Sequence, residues 1–180
     1  MQRVHLLDLG MTFGEKHMLD SLNEHINKKL PCYVERAIKP TFNWEDVIGL
    51  LQYSADSDVG NPIGILNYKL PDAHLIQGIQ LVREYLNENL DNKIANTQMC
   101  VTMSIRDNPS YKNDCDMIIW STQGITEFSF PTEEEEVKRL LQPGDIIYVP
   151  EGLEFKMTPM NSRAFVSFGL EKVKDDNEDL

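Results

Sequence analysis

Residues 141–155, Leu-Gln-Pro-Gly-Asp-Ile-Ile-Tyr-Val-Pro-Glu-Gly-Leu-Glu-Phe, carry the strongest structural signal in this chain. Proline and glycine favour turns, whereas a run of β-branched and aromatic residues favours a strand. A Pro143-Gly-Asp145 turn precedes the apolar run at 146–149, and Pro150 and Gly152 follow it. The pattern predicts a short buried strand between two tight turns.

Short strands are also predicted on both sides of this segment. Apolar residues alternate with polar ones at Met99, Val101, Met103 and Ile105, which indicates a strand with one buried face. Further strands are predicted over 117–121, 126–130 and 164–170, with a turn at 107–110. Residues 133–141 are predicted to form one or two helical turns, because an acidic run precedes two basic residues.

The first half of the chain mixes helices with strands. Apolar residues recur at helical spacing over 15–30, 44–53 and 74–90, and Thr41 or Asn43 is a candidate cap for the second helix. Strands are predicted over 3–9, 32–38 and 63–70. We therefore expect a mainly β fold with N-terminal helices. One domain covers 1–172, with a mixed part at 1–96, a β-rich core at 97–172 and a charged tail at 173–180.

Composition narrows the range of partners. The 180 residues carry a net charge of −12, which disfavours non-specific binding to nucleic acids and anionic membranes. The sequence shows no signal peptide and no apolar run of membrane-spanning length. Cys32, Cys100 and Cys115 have no metal-site or disulfide spacing and are expected to be inert thiols. We expect a cytoplasmic protein.

The segment from Pro143 to Gly152 resembles the second conserved motif of the cupin superfamily, in its JmjC-like branch. Two earlier segments resemble the same branch more loosely: the proline-led strand at 30–38 and the helix at 42–51. The resemblance covers about residues 3–171. It implies a double-stranded β-helix, the cupin or jelly-roll barrel, with helices at its N-terminal side.

The resemblance also implies where metal ligands would lie. Iron-dependent members of this branch hold Fe(II) with a His-x-Asp pair and a later histidine, beside the cosubstrate 2-oxoglutarate. Counting back from Asp116 places the pair at Tyr111 and Asn113, and the third position is Phe155. All three ligands are thus replaced, so no metal or other cofactor is expected.

A different alignment of the ligand positions would change this expectation only in part. A shift of one or two residues brings Asp114, Cys115 or Asp116 to a ligand position. It brings no histidine, because all four precede the β-rich half: His5, His17, His25 and His74. Fe(II) and 2-oxoglutarate are expected only if the assignment is wrong.

Three hypotheses for the function remain open. The first is a degenerate cupin that binds a small molecule or a protein, with Tyr111, Asn113 and Phe155 in the pocket and Trp120 stacking on a ligand. The second is an enzyme in the same pocket, either a metal-free isomerase or epimerase or a divergent oxygenase. Its catalytic candidates are Tyr111, Asp114 and Asp116. The third is an assembly protein, for which the apolar face of the helix at 15–30 offers a homodimer contact.

Overall fold

The structure is a computed structural model that describes residues 15–56, 61–62, 67–103, 110–131 and 136–171. Within these ranges the chain forms three α-helices, one short 3-10 helix (Ala73–Leu75) and eleven strands. The helices are α1 (Glu15–Lys28), α2 (Trp44–Asp56) and α3 (Gln77–Asn89). The strands are β1 (Cys32–Val34), β2 (Asn61–Pro62), β3 (Asn67–Leu70), β4 (Ile94–Thr102), β5 (Tyr111–Lys112), β6 (Met117–Gln123), β7 (Thr126–Pro131), β8 (Glu136–Leu141), β9 (Ile146–Val149), β10 (Glu154–Pro159) and β11 (Arg163–Leu170).

These strands form two antiparallel sheets that face each other. The larger sheet has the order β1-β9-β6-β11-β4-β3-β2, and the smaller has the order β5-β10-β7-β8. Strands β8 and β9 are consecutive in sequence but lie in different sheets, and so do β9 and β10. The chain therefore crosses between the sheets on either side of the 146–149 strand, as in a double-stranded β-helix.

The larger sheet buries both of its faces. On β6, Ile118 and Trp120 belong to the core shared with the helices, whereas Ile119 belongs to the core between the two sheets. Successive side chains of a strand point to opposite faces, so one strand supplies both cores. The face toward the smaller sheet is the interior of the barrel.

The three predicted helices are present and cover the outer face of the larger sheet. Asn43 caps α2, because its Oδ1 accepts a hydrogen bond from the backbone N–H of Glu45 at 2.7 Å. Met18, Leu19, Leu22 and Ile26 of α1 are buried in the core shared with the sheet. The apolar face of α1 is therefore used within the chain, and homodimerisation stays a prediction.

The Pro143-Gly-Asp145 turn ties distant segments together. The buried Asp145 carboxylate accepts hydrogen bonds from the backbone N–H of Arg36 at 2.8 Å, the N–H of Gln142 at 2.8 Å and the hydroxyl of Tyr33 at 3.0 Å. Gly144 has a φ of 105°, a conformation that strongly favours glycine. Its carbonyl accepts a hydrogen bond from Ile38 N at 3.0 Å. The turn thus joins the end of β1 to the start of β9.

Two predicted elements differ in the structure. The expected helical turns at 133–141 are wrong for 136–141, which form β8 and pair with β7 along the whole strand. A helix there would leave one side of β7 without backbone partners. The predicted strand at 32–38 ends at Val34, because Arg36 has a left-handed φ of 50° and turns its N–H toward Asp145.

Other differences concern boundaries. Strand β10 was not predicted, although Phe155 and Met157 alternate with polar neighbours. The third helix is divided, because a 3-10 turn precedes α3. The predicted strand at 3–9, residues 63–66 of a second strand, the turn up to 109 and the tail at 173–180 lie outside the described residues. None of the helices described is long and apolar enough to span a membrane.

The Asp145 contacts predict a large loss of stability when the carboxylate is removed. In Asp145→Ala, two backbone N–H groups and a hydroxyl lose their acceptor, and we expect a cost of about 3 kcal/mol in the free energy of unfolding. Urea denaturation measures it. The matched control Asp114→Ala removes an exposed carboxylate and should change stability by less than about 0.5 kcal/mol. Equal midpoints for the two variants would contradict the role of Asp145.

Tyr33 predicts a specific dependence of stability on pH. Burial and the hydrogen bond to Asp145 raise the pKa of Tyr33 to about 12, above an ordinary value of about 10. The folded chain then keeps a proton that the unfolded chain loses, so this contribution is complete below about pH 10 and is lost as the pH rises toward 12.

Tyr33→Phe should therefore lose less stability than the unsubstituted chain between about pH 9 and about pH 11. Urea midpoints at the two pH values measure the difference. The control Tyr53→Phe changes a tyrosine that is 53% exposed and should keep the original slope. Parallel slopes for all three proteins would show that Tyr33 does not titrate as the contact requires.

Candidate ligand-binding cavity in the barrel

A cavity of about 450 Å³ lies between the two sheets. Strands β3, β4, β6 and β11 of the larger sheet line one side, and β5 and β10 of the smaller sheet line the other. Its walls carry both apolar and polar side chains, among them Ile119, Met157, Gln98 and Thr102. The cavity occupies the barrel interior.

An aromatic cluster forms one wall of this cavity. Strand β5 pairs with β10 so that Tyr111 lies opposite Phe155, and their ring centroids are 5.9 Å apart. Phe155 is 4% exposed and stacks on Phe128 at 5.3 Å with an interplanar angle of 18°. Tyr111 is 38% exposed and lies nearer the solvent. The third matched ligand position is thus filled by a packed ring.

Asn113 lies beside this cluster and completes the set of matched positions. Its carbonyl accepts a hydrogen bond from Gly152 N at 3.0 Å, and its side-chain nitrogen lies 3.9 Å from the sulfur of Met117. The structure brings Tyr111, Asn113 and Phe155 to the same cavity.

These three side chains do not suit Fe(II). Such an ion needs two imidazoles and a carboxylate on one face, with positions left open. The ring of Phe155 has no lone pair to donate, and Asn113 is uncharged. Burial raises the pKa of Tyr111, so its phenol stays protonated at neutral pH. The donor set of an iron-dependent oxygenase is therefore not retained at these positions.

Other metal-binding side chains do not gather within the described part of the chain. No group of three or more His, Cys, Asp or Glu residues is arranged there to hold an ion. His25 lies on α1, where its Nδ1 donates to the carbonyl of Ser21 at 2.8 Å, and His74 is exposed on the 3-10 helix. His5 and the side chain of His17 lie outside the described residues.

The two candidate carboxylates have different surroundings. Asp114 is exposed and lines the cavity. Asp116 is buried and is not among the cavity-lining residues. Its carboxylate accepts a hydrogen bond from Glu151 N at 2.9 Å and forms an ion pair with Lys29. Asp116 therefore anchors the β9–β10 turn and the end of α1, and only Asp114 faces the cavity with Tyr111.

Trp120 is also placed away from the cavity. Its ring is fully buried on the helical side of β6 and packs edge to face on Phe42, with centroids 5.8 Å apart. The indole N–H donates to the carbonyl of Ile38 at 2.7 Å. The expectation that Trp120 stacks on a ligand in the barrel is therefore corrected: alternation along β6 turns the ring to the opposite face.

Arg163 is a buried, charged residue at the cavity wall that the sequence did not point to. It is 2% exposed at the start of β11. One terminal nitrogen donates to Thr126 Oγ1 at 2.9 Å and the other to the carbonyl of Met157 at 3.3 Å. The guanidinium also lies 5.4 Å from the ring centroid of Phe165. The alternation of side chains along β11 could have indicated this position, because Arg163 lies on the same face of the strand as the cavity-lining residues Phe165 and Ser167.

Cys100 and Cys32 are not activated nucleophiles. Cys100 lines the cavity, and burial raises its pKa to about 11, so the thiol stays protonated at neutral pH. None of the three cysteines forms a disulfide. Burial raises the pKa of Cys32 as well.

Solved structures of the ribosomal oxygenase YcfD from Escherichia coli share this architecture. A complex with cobalt and succinic acid matches with a TM-score of 0.70 at 14% sequence identity, over 87% of this chain and 51% of the other. A crystal structure of the same oxygenase matches with a TM-score of 0.70 at 15% identity, over 93% of this chain and 53% of the other. The chain spans about half the length of these proteins.

At such low identity the similarity shows the fold alone. No protein-family model matches the sequence, and no curated sequence matches it significantly. The fold is that of the JmjC-like cupins, a double-stranded β-helix with N-terminal helices, as the resemblance of the Pro143 to Gly152 motif predicts.

Proposed function

We propose that this barrel is a binding module for a small molecule and that it works without a metal. The observation that carries the proposal is the cavity of about 450 Å³, which remains between the sheets although aromatic rings occupy two of the three matched ligand positions. Its volume lies within the range of about 300–1,000 Å³ that is usual for ligand pockets.

The cavity walls favour a small organic molecule over a protein segment. Both sheets contribute to the lining, so an occupant is surrounded from two sides. Tyr111, Phe155 and Phe165 provide apolar surface, and Gln98, Thr102 and Arg163 provide hydrogen-bonding groups. Apolar burial supplies affinity in such a pocket, while a few polar groups fix orientation.

The donor chemistry supports a metal-free mode of binding. The similar oxygenase has been seen with cobalt and 2-oxoglutarate. In this chain the corresponding positions present a phenyl ring, a neutral amide and a protonated phenol, none of which replaces an imidazole as a ligand. We therefore propose that affinity comes from the cavity walls alone.

An acid–base enzyme is the second candidate, because Tyr111 and Asp114 both line the cavity. A protonated phenol can donate a proton and an exposed carboxylate can accept one, as an isomerase or epimerase requires. Under this alternative Tyr111→Phe abolishes turnover of a bound molecule. Under the binding-module proposal the same variant leaves the bound molecule chemically unchanged, as the unsubstituted chain does.

Metal uptake tests the proposal directly. After incubation with Co(II), Fe(II), Mn(II), Ni(II) or Zn(II) and desalting, the chain should retain far less than one equivalent, as measured by elemental analysis. Retention of about one equivalent in the barrel would overturn the proposal.

A variant that restores the ligand types serves as the matched control. Tyr111→His, Asn113→Asp and Phe155→His together recreate two imidazoles and a carboxylate at positions that line the same cavity. This triple variant should take up about one equivalent of Co(II) and acquire visible d–d absorption. Failure of a folded triple variant to bind cobalt would show that the three positions are not equivalent to an oxygenase ligand set.

A further inference from the structure

We propose that a groove beside helix α2 is a docking site for a basic amphipathic helix of a partner protein. One wall of the groove is α2, and the other is formed by residues 75–81, at the end of the 3-10 helix and the start of α3. Its volume is about 750 Å³. The groove shares no lining residue with the barrel cavity, so the proposal is independent of the ligand that the barrel binds.

The groove contains a glycine that packing within the fold does not explain. Gly49 lies in the interior of α2, where glycine destabilises a helix relative to almost every other residue. Apart from its chain neighbours and the nearby helix backbone, no described atom lies within 4 Å of a Cβ built at this position. Gly78 on the other wall differs, because a Cβ there would lie 2.5 Å from Thr41 Oγ1. Gly49 thus leaves open space for a group from outside the chain.

Large apolar side chains line the groove beside this space and are accessible from outside. Tyr53 is 53% exposed and Leu75 is 55% exposed. Tyr53 lies four residues after Gly49, so both positions are on the same face of α2. Leu81 of α3 is half-buried at the other wall. Apolar side chains beside a helix glycine suit the apolar face of a second helix, whose side chains pack into such grooves.

The walls favour a helical partner over an extended one. The backbone groups of α2 and α3 are paired within their own helices, so an extended segment would find few backbone partners in the groove. A helix satisfies its own backbone groups and needs only side-chain contacts.

The charges at the groove select a basic partner. Glu45 and Asp46 line the groove, and no lysine or arginine is among the described residues that do so. Neither carboxylate forms an ion pair with a described cation. A lysine or arginine beside the apolar face of the partner would complement them. A second copy of this chain is disfavoured, because each copy carries a net charge of −12.

A set of three labelled peptides tests the chemistry of the partner. The probe is the amphipathic peptide Leu-Lys-Lys-Leu-Leu-Lys-Leu-Leu-Lys-Lys-Leu-Leu-Lys-Leu, and fluorescence anisotropy measures its binding to the full chain at physiological salt. One reference peptide has glutamate in place of every lysine, and the other has proline in place of the two central leucines, which prevents a helix. We expect the lysine peptide to bind at least about tenfold more tightly than either reference.

Substitutions in the groove locate the binding site. Gly49→Leu fills the open space and should weaken binding of the lysine peptide at least about tenfold, while it raises the midpoint of thermal unfolding because leucine favours a helix interior. Gly49→Ala replaces it if Gly49→Leu does not fold, and should weaken binding at least about threefold. Glu45→Gln should also weaken binding at least about threefold. The matched control Glu88→Gln removes an exposed carboxylate of α3 outside the groove and should stay within about 1.5-fold of the unsubstituted chain.

Several results would overturn this proposal. They are equal binding of the lysine peptide and either reference, unchanged binding in the folded Gly49 variant, or equal effects of Glu45→Gln and Glu88→Gln. Displacement of the lysine peptide by a peptide of residues 1–14 would assign the groove to this chain's own N-terminal segment and would also overturn it. Dimerisation that Gly49→Leu abolishes, measured by sedimentation, would assign the groove to a second copy with the same consequence.

Discussion

The buried Asp145 carboxylate is the constraint on which the rest of the barrel depends. It accepts hydrogen bonds from Tyr33 of β1, from the backbone N–H of Arg36 in the following turn and from the backbone N–H of Gln142. The carboxylate thus holds three parts of the chain together. The neighbouring backbone extends the contact, because Gly144 N donates to Ser121 O at 2.8 Å and Ser121 N donates to Asp145 O at 2.9 Å. Once this turn is fixed, β9 enters the larger sheet in a single register beside β6. The next turn then delivers β10, and with it Phe155, to the opposite wall of the barrel.

Alternation along the strands explains why one sheet serves two purposes. Along the strands of the larger sheet, the side chains on one face pack against the helices and form a closed core. The side chains on the other face lie toward the smaller sheet, and the cavity lies between them. A shift of one residue in the pairing register of a strand would move each of its side chains to the opposite face of the sheet. Ile119 and Trp120 illustrate this, because they are adjacent in sequence but belong to different cores. The same rule places Arg163, Phe165 and Ser167 together at the cavity.

Sequence reasoning found the parts that depend on local patterns. The strand at 146–149 and the helices follow from turn residues and periodicity, and the spacing from Asp116 to Tyr111 and Asn113 led to residues that share a cavity with Phe155. It was wrong where contacts between distant parts of the chain determine the local structure or the orientation of a side chain. The 136–141 segment has the charge pattern of a helix but pairs with β7, and the face of Trp120 depends on strand parity. Arg163 was missed because a single arginine gains meaning only when its burial and its lack of a described ionic partner are known.

Together these features describe a barrel with the fold of a JmjC-like cupin, in which aromatic rings occupy two of the three positions that the sequence resemblance matches to metal ligands. We propose that the cavity walls, and not a metal ion, hold its ligand. A crystal structure of the chain soaked with Mn(II) is the sharpest test of this proposal. We expect no anomalous manganese peak in the barrel. An anomalous peak beside Tyr111, Asn113 and Phe155 would contradict it.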